Sequence, residues 1–111
     1  MNILVLGAEG FVGKNLVCAL NNIKENKDRR YPEIVIDNIF TFDRSSSEAE
    51  LEDFCRKADF IFNFAGVNRP KNTDEFMKGN CVFAEAVLDK LSKYENKSSK
   101  KRIFMLLFLL F

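Results

Sequence analysis

Three glycines spaced three residues apart, Gly7, Gly10 and Gly13, stand between a short apolar run and a stretch of helical periodicity. That placement constrains the chain more than any other feature. Ile3 to Leu6 is β-branched and aliphatic without alternation, which suits a strand buried on both faces of a parallel sheet. Val12, Leu16, Ala19, Leu20 and Ile23 then recur at helical spacing, so a helix is predicted to start inside the glycine segment and to run to about Ile23. In such a strand–turn–helix unit the first glycine permits the tight turn. The second lets phosphate oxygens approach the backbone, and the third lets helix and strand pack closely. Free amides at the helix amino terminus stabilise the charge of a pyrophosphate. The expectation is a dinucleotide site, against a glycine-rich turn that holds no ligand. The phosphate loop of nucleotide hydrolases, G-x-x-x-x-G-K-[ST], fails on two counts. Ala8 stands where it needs glycine, and Asn15 where it needs the hydroxyl that ligates magnesium.

Further along, Asn21 to Arg30 is polar and without periodicity, a solvated connection. Of two extended signals, Ile34-Val35-Ile36 and Ile39-Phe40-Thr41-Phe42, the second is favoured as the sheet strand. Ser45-Ser46-Ser47-Glu48 matches a capping box, and Leu51, Phe54, Cys55 and Ala58 follow at helical spacing. Asp59 to Phe64 is another buried strand, ending at Ala65-Gly66. Val67 to Asn72, with Pro70, is a loop, and Thr73 can cap a further turn. Asn80 to about Lys93 is predicted helical, with Phe83, Ala86, Val87 and Leu91 on one face. A basic link, Lys93 to Arg102, leads into the unbroken apolar run Ile103 to Phe111, expected to be one more strand. The order β-α-β-α-β-α-β, with strands that look buried, implies the α/β class and a parallel sheet covered by helices.

Composition removes several functions. A chain of 111 residues supports one domain, and a formal net charge of +1 gives no electrostatic case for a nucleic-acid or acidic-membrane partner. The chain contains no histidine, which excludes Ser-His-Asp and Cys-His catalysis and histidine metal sites. Cys18, Cys55 and Cys81 are odd in number and widely spaced, and read as buried small apolar residues in a reducing compartment. The amino terminus lacks a basic segment ahead of a long apolar one, and Ile103 to Phe111 falls short of the roughly 20 residues of a membrane span. A cytoplasmic location is expected.

The triplet spacing resembles that of the extended short-chain dehydrogenases, the NAD(P)-dependent sugar-nucleotide epimerases, dehydratases and reductases. Phe64-Ala65-Gly66 is similar to that family's strand-end segment beside the cofactor, and Asn80 to its Asn at the start of a long helix. Gly7-Ala8-Glu9-Gly10-Phe11-Val12-Gly13-Lys14-Asn15-Leu16, Ala58-Asp59-Phe60, Ala65-Gly66-Val67-Asn68-Arg69-Pro70 and Glu75-Phe76-Met77-Lys78-Gly79-Asn80 resemble one branch in particular. That branch is the capsular-polysaccharide reductases, a dehydrogenase domain followed by a cupin domain, acting on UDP-linked 4-keto-6-deoxy amino sugars. The resemblance covers roughly residues 1 to 95. It implies the amino-terminal half of a Rossmann-type doubly wound sheet over residues 1–102, with 103–111 an apolar tail or edge strand. Gly7, Gly10, Phe11, Val12 and Gly13 would surround the pyrophosphate, and Phe64, Ala65 and Gly66 would lie along the ribose side. After the second strand, a carboxylate accepts from a ribose 2′-hydroxyl whereas an arginine pairs with a 2′-phosphate. The chain offers both Asp43 and Arg44; Arg44 and NADP(H) are favoured over NAD(H).

Chemistry in this family needs a Tyr with a Lys four positions later, plus a Ser or Thr. Tyr94-Glu95-Asn96-Lys97 has the wrong spacing and reads as a solvated helix end, and Tyr31 sits in a connection before Pro32. No catalytic residue is assigned. The break in resemblance near Lys97, followed by a bare apolar tail, points to a truncated product, in which a shifted or interrupted reading frame replaces the serine strand. The leading expectation is thus the cofactor-binding part of a UDP-sugar reductase, inactive alone and prone to self-association through its apolar carboxyl-terminal run. The alternatives are a non-enzymatic NAD(P)-binding sensor or interaction module, and a small flavodoxin-like domain without a dinucleotide.

Overall fold

A computed structural model of the chain describes residues 1–43, 45–65, 73–95 and 103–106, with side chains over 1–43, 45–65 and 83–94. The elements run β1 (Asn2–Leu6), α1 (Phe11–Lys24), β2 (Asn38–Phe42), α2 (Glu48–Lys57), β3 (Phe60–Asn63), α3 (Thr73–Glu95) and β4 (Ile103–Leu106). All strand pairs are parallel, in the order β2-β1-β3-β4. Successive strand side chains point to opposite faces, and β1 shows the consequence. Leu4 and Leu6 pack with Leu51, Cys55, Ala58, Ile61, Val87 and Leu91 on the α2/α3 side. Ile3 and Val5 pack with Leu20 and Ile36, and with Leu16, Val17 and Ile23, on the α1 side. A central strand covered on both faces has no polar face to alternate with, which is why Ile3 to Leu6 reads as a continuous apolar run.

Helices on both faces follow from handedness. Parallel crossovers are right-handed, and the chain reverses direction across the sheet after β2, so α1 lies on one face and α2 and α3 on the other. The reversal comes after two strands, giving the 2-1-3-4 order of flavodoxin-like sheets rather than the 3-2-1-4 of the longer doubly wound form. Both orders open a ligand crevice at the carboxyl ends of the strands where direction reverses, here between β1 and β3.

The strand favoured between 34 and 42 is the second one, β2, as expected. Ile36 is buried against the α1-side core, while Val35 is exposed. The amino-terminal ammonium donates to the Val35 carbonyl at 3.1 Å and to Asp37 at 2.6 Å, tying this approach segment to β1. Aromatic stacking ties β2 to the helices: Phe40 on Phe54 at 4.9 Å and Phe42 on Phe83 at 6.1 Å between centroids.

Three expectations are corrected. The α2 cap is Ser47, not Ser45: the Ser47 hydroxyl accepts from the Glu50 amide at 3.1 Å. The long helix is continuous from Thr73, seven residues before Asn80, and its buried face carries Ala84 with Val87 and Leu91, whereas Ala86 is exposed. Cys55 is fully buried as expected, but Cys18 is exposed on α1. The Val67–Asn72 loop, the side chains of Asn80 and Cys81, and the tail beyond Leu106 lie outside the described residues.

Candidate functional site

β1 ends in Gly7, held between its two neighbours: the Gly7 amide donates to the Phe42 carbonyl of β2, and the Phe64 amide beyond β3 donates to the Leu6 carbonyl, both at 2.8 Å. With φ +79°, Gly7 lies in the left-handed region that side chains rarely adopt. A Cβ here would also stand 2.7 Å from the Ala65 amide nitrogen and 2.7 Å from the Phe64 carbonyl carbon. The turn therefore leaves β1 pressed against the end of β3. Gly13 fixes the other side. A Cβ on it would sit 2.2 Å from the Gly7 carbonyl oxygen and 2.8 Å from Ala8 Cα, so α1 packs onto the turn only because the third glycine has no side chain.

Gly10 differs. Its backbone is extended (φ −70°, ψ 167°), and an added Cβ would meet only the Gly7 carbonyl oxygen, at an ordinary 3.5 Å. Nothing among the described residues requires glycine at this position. The bare backbone faces open space at the start of α1, the kind of cradle a side chain would fill.

The starts of α1 and α2 make the contrast plain. At α2, Ser47 caps the helix and Glu48 and Glu50 stand in its first turn. At α1, Gly10 offers no side-chain cap and the first turn holds no acidic residue. The first helical bond runs from the Lys14 amide to the Gly10 carbonyl at 2.8 Å. The amides of Phe11, Val12 and Gly13 precede it and have no acceptor among the described residues. Phe11 is 85% exposed, so its ring takes no part in the core. The positive end of the α1 dipole and three unclaimed donors thus converge where Gly10 leaves room, an arrangement suited to a phosphate anion.

Two side chains at the carboxyl ends of β2 and β3 add contacts that no local sequence pattern marks. The Asp43 carboxylate, at the end of β2, accepts from the Glu9 amide at 2.9 Å. Asn63, at the end of β3, is 1% exposed; its Oδ1 accepts from the Ala65 amide at 3.0 Å, and its Nδ2 has no partner among the described residues. From sequence Asp43 offers itself only to the ribose, because a contact 34 residues away leaves no mark in a local pattern. The predicted residues Gly7, Gly10, Phe11, Val12, Gly13, Phe64 and Ala65 come together at this one edge of the sheet. Arg44 and Gly66 lie outside the described residues.

Neither tyrosine reaches the crevice. Tyr94 ends α3, which runs antiparallel to β3, and so lies at the opposite end of the sheet. It is half-buried at the helix end: its hydroxyl donates to Glu52 Oε1 at 2.5 Å, and this bond to a carboxylate raises its pKa. Tyr31 lies in the connection before β2, under the Arg30 guanidinium at 5.4 Å. Among the described residues no cluster of His, Cys, Asp and Glu could hold a metal ion, and no helix is long and apolar enough to cross a membrane.

Comparison with known proteins agrees with this geometry. The sequence profile of the NAD dependent epimerase/dehydratase family matches residues 3–106. A UDP-2-acetamido-2,6-beta-L-arabino-hexul-4-ose reductase of Pseudomonas aeruginosa is 40% identical over 89 residues, 80% of this chain and 21% of that protein. The crystal structure of the capsular polysaccharide assembling protein CapF from Staphylococcus aureus is 40% identical with a TM-score of 0.62, over 94% of this chain and 24% of that one. A mutated uronate dehydrogenase, 18% identical with a TM-score of 0.54 over 93% of this chain and 38% of that one, shares the fold. The chain thus spans about a fifth to a quarter of the length of the two nearer proteins.

Proposed function

The chain belongs to the NAD dependent epimerase/dehydratase family, and from that premise we propose that it is the cofactor-binding part of an NADPH-dependent reductase. Its substrate would be a UDP-linked 4-keto-6-deoxy amino sugar of capsular polysaccharide synthesis. Gly10 is the observation that carries the reading: the protein has no steric need for glycine there, whereas a pyrophosphate does. The substrate class is supported by the printed functions of the Pseudomonas reductase and the Staphylococcus capsule protein.

A bound nicotinamide dinucleotide would supply the hydride. The chain's own residues hold it: the amides of Phe11, Val12 and Gly13 face the pyrophosphate, and Phe64 and Ala65 form the ribose wall. NADP(H) is favoured over NAD(H), because Asp43 already accepts from the Glu9 amide while Arg44 beside it supplies the cation for a 2′-phosphate. The 111 residues contain no Tyr-x-x-x-Lys, and both tyrosines lie away from the crevice, so this part binds cofactor without turning substrate over. A non-enzymatic sensor or interaction module would bind in the same way; it is distinguished by no reduction of the keto sugar when the chain is joined to a Tyr-Lys-containing partner segment. Self-association through the 103–111 run belongs to the same proposal, supported by β4 standing at an edge of the described sheet, paired there with β3 alone.

Fluorescence titration of the 111-residue chain tests the reading. NADPH is expected to bind more tightly than NADH. Absence of binding by either would leave only the flavodoxin-like alternative.

A further inference from the structure

We propose that Asp43 is a positioning residue for the dinucleotide, acting by holding the glycine turn in its binding shape rather than by selecting the ribose. The proposal rests on the function proposed above.

The turn from Gly7 to Gly10 has few ties of its own. At its start the Gly7 amide donates to Phe42, and at its end the Gly10 amide donates back to the Gly7 carbonyl at 3.2 Å. Between them, Glu9 is exposed, and its amide is claimed by the Asp43 carboxylate at 2.9 Å. Asp43 is itself fixed. Its amide donates to Ser46 Oγ at 3.1 Å, and the Ser46 amide donates to the Asp43 carbonyl at 2.9 Å. The next residue, Ser47, caps α2. One run of hydrogen bonds therefore joins the start of α2, through Asp43, to the turn that opens α1. Because Gly10 and the unclaimed α1 amides follow directly, loosening Glu9 would loosen the phosphate cradle.

The two roles open to Asp43 predict different outcomes. NADPH and NADH share the pyrophosphate and differ only at the ribose 2′-position. A brace on the turn acts on the shared part, so its loss weakens both cofactors equally. A selector acts at the 2′-position, so its loss changes their ratio.

The experiment uses the full 111-residue chain with Asp43→Ala and Asp43→Asn. NADPH and NADH are titrated separately, and hydrogen exchange of the Glu9 amide is followed without ligand. For D43A we expect both affinities to fall by the same factor, about tenfold to a hundredfold for one lost hydrogen bond to a charged acceptor, with faster Glu9 exchange. D43N keeps an acceptor oxygen and should restore both affinities to within about twofold and return Glu9 exchange towards that of the unmodified chain. A changed NADPH-to-NADH ratio with unchanged Glu9 exchange would overturn the proposal and make Asp43 a ribose selector. If the unmodified chain binds neither cofactor, the functional reading falls and the positioning role with it. If it binds but D43A leaves Glu9 exchange unaltered, the brace alone falls.

Discussion

Replacing Gly13 by alanine would drive a Cβ to 2.2 Å from the Gly7 carbonyl oxygen, backbone that cannot swing aside. We expect Gly13→Ala to lower stability by about 2–4 kcal/mol, read as a fall in the melting temperature. Gly7→Ala should cost about 1–3 kcal/mol, from its positive φ and the contact with Ala65. Gly10→Ala should leave stability within about 1 kcal/mol of the parent, since its Cβ finds ordinary space. Only ligand binding should register that change. The spacing of the three glycines was legible in the sequence, as was the idea that each has a different task. That Gly10 alone lacks a protein neighbour demanding it was not legible, because the neighbours come from Gly7, Ala8 and the end of β3 only after folding. Asp43 illustrates the same limit. Its partner Glu9 lies 34 residues earlier, and only the parallel pairing of β1 with β2 brings them together.

Among the elements, strand and helix order was readable throughout, because buried parallel strands and amphipathic helices leave different apolar patterns. Boundaries were less so where the local chemistry repeats. S-x-x-E fits Ser45 with Glu48 and also Ser47 with Glu50, and only the end of β2 decides between them. Ser47→Ala is expected to cost about 1 kcal/mol in chemical denaturation and Ser45→Ala close to nothing. The α2–α3 contact carries a pH signature. Glu52 accepts from Tyr94 and Lys93, with Lys90 at 3.4 Å. These partners, Tyr94 first and then Lys93, lower its pKa from 4.5 to about 2. A carboxyl depressed in the folded state contributes fully above the unfolded value and loses its contribution as pH falls through the folded one. The melting temperature should therefore decline between pH 5 and pH 2. Glu52→Gln should flatten that decline; an unchanged profile would show that the cluster contributes nothing.

For the molecule as a whole, the sheet has a definite top and bottom. The glycine turn, the Asp43 brace and the end of β3 gather at the carboxyl ends of the strands, while Tyr94 and Tyr31 lie at the other end. The glycine turn and the phenols are thus separated by the length of the sheet, and the function proposed above gives this part the holding of a cofactor only. The apolar run after Arg102 should make the chain associate, and sedimentation showing a monodisperse monomer would contradict that part of the account. On the function proposed above, the opening beside Gly10 is shaped for a pyrophosphate. Its most direct measurement is a parallel NADPH titration and thermal melt of the unmodified chain and the Gly10→Ala variant. We expect the two to melt alike and the variant to bind at least about tenfold more weakly, the loss of roughly one phosphate-to-amide contact. Equal binding by both, with the fold intact, would contradict it.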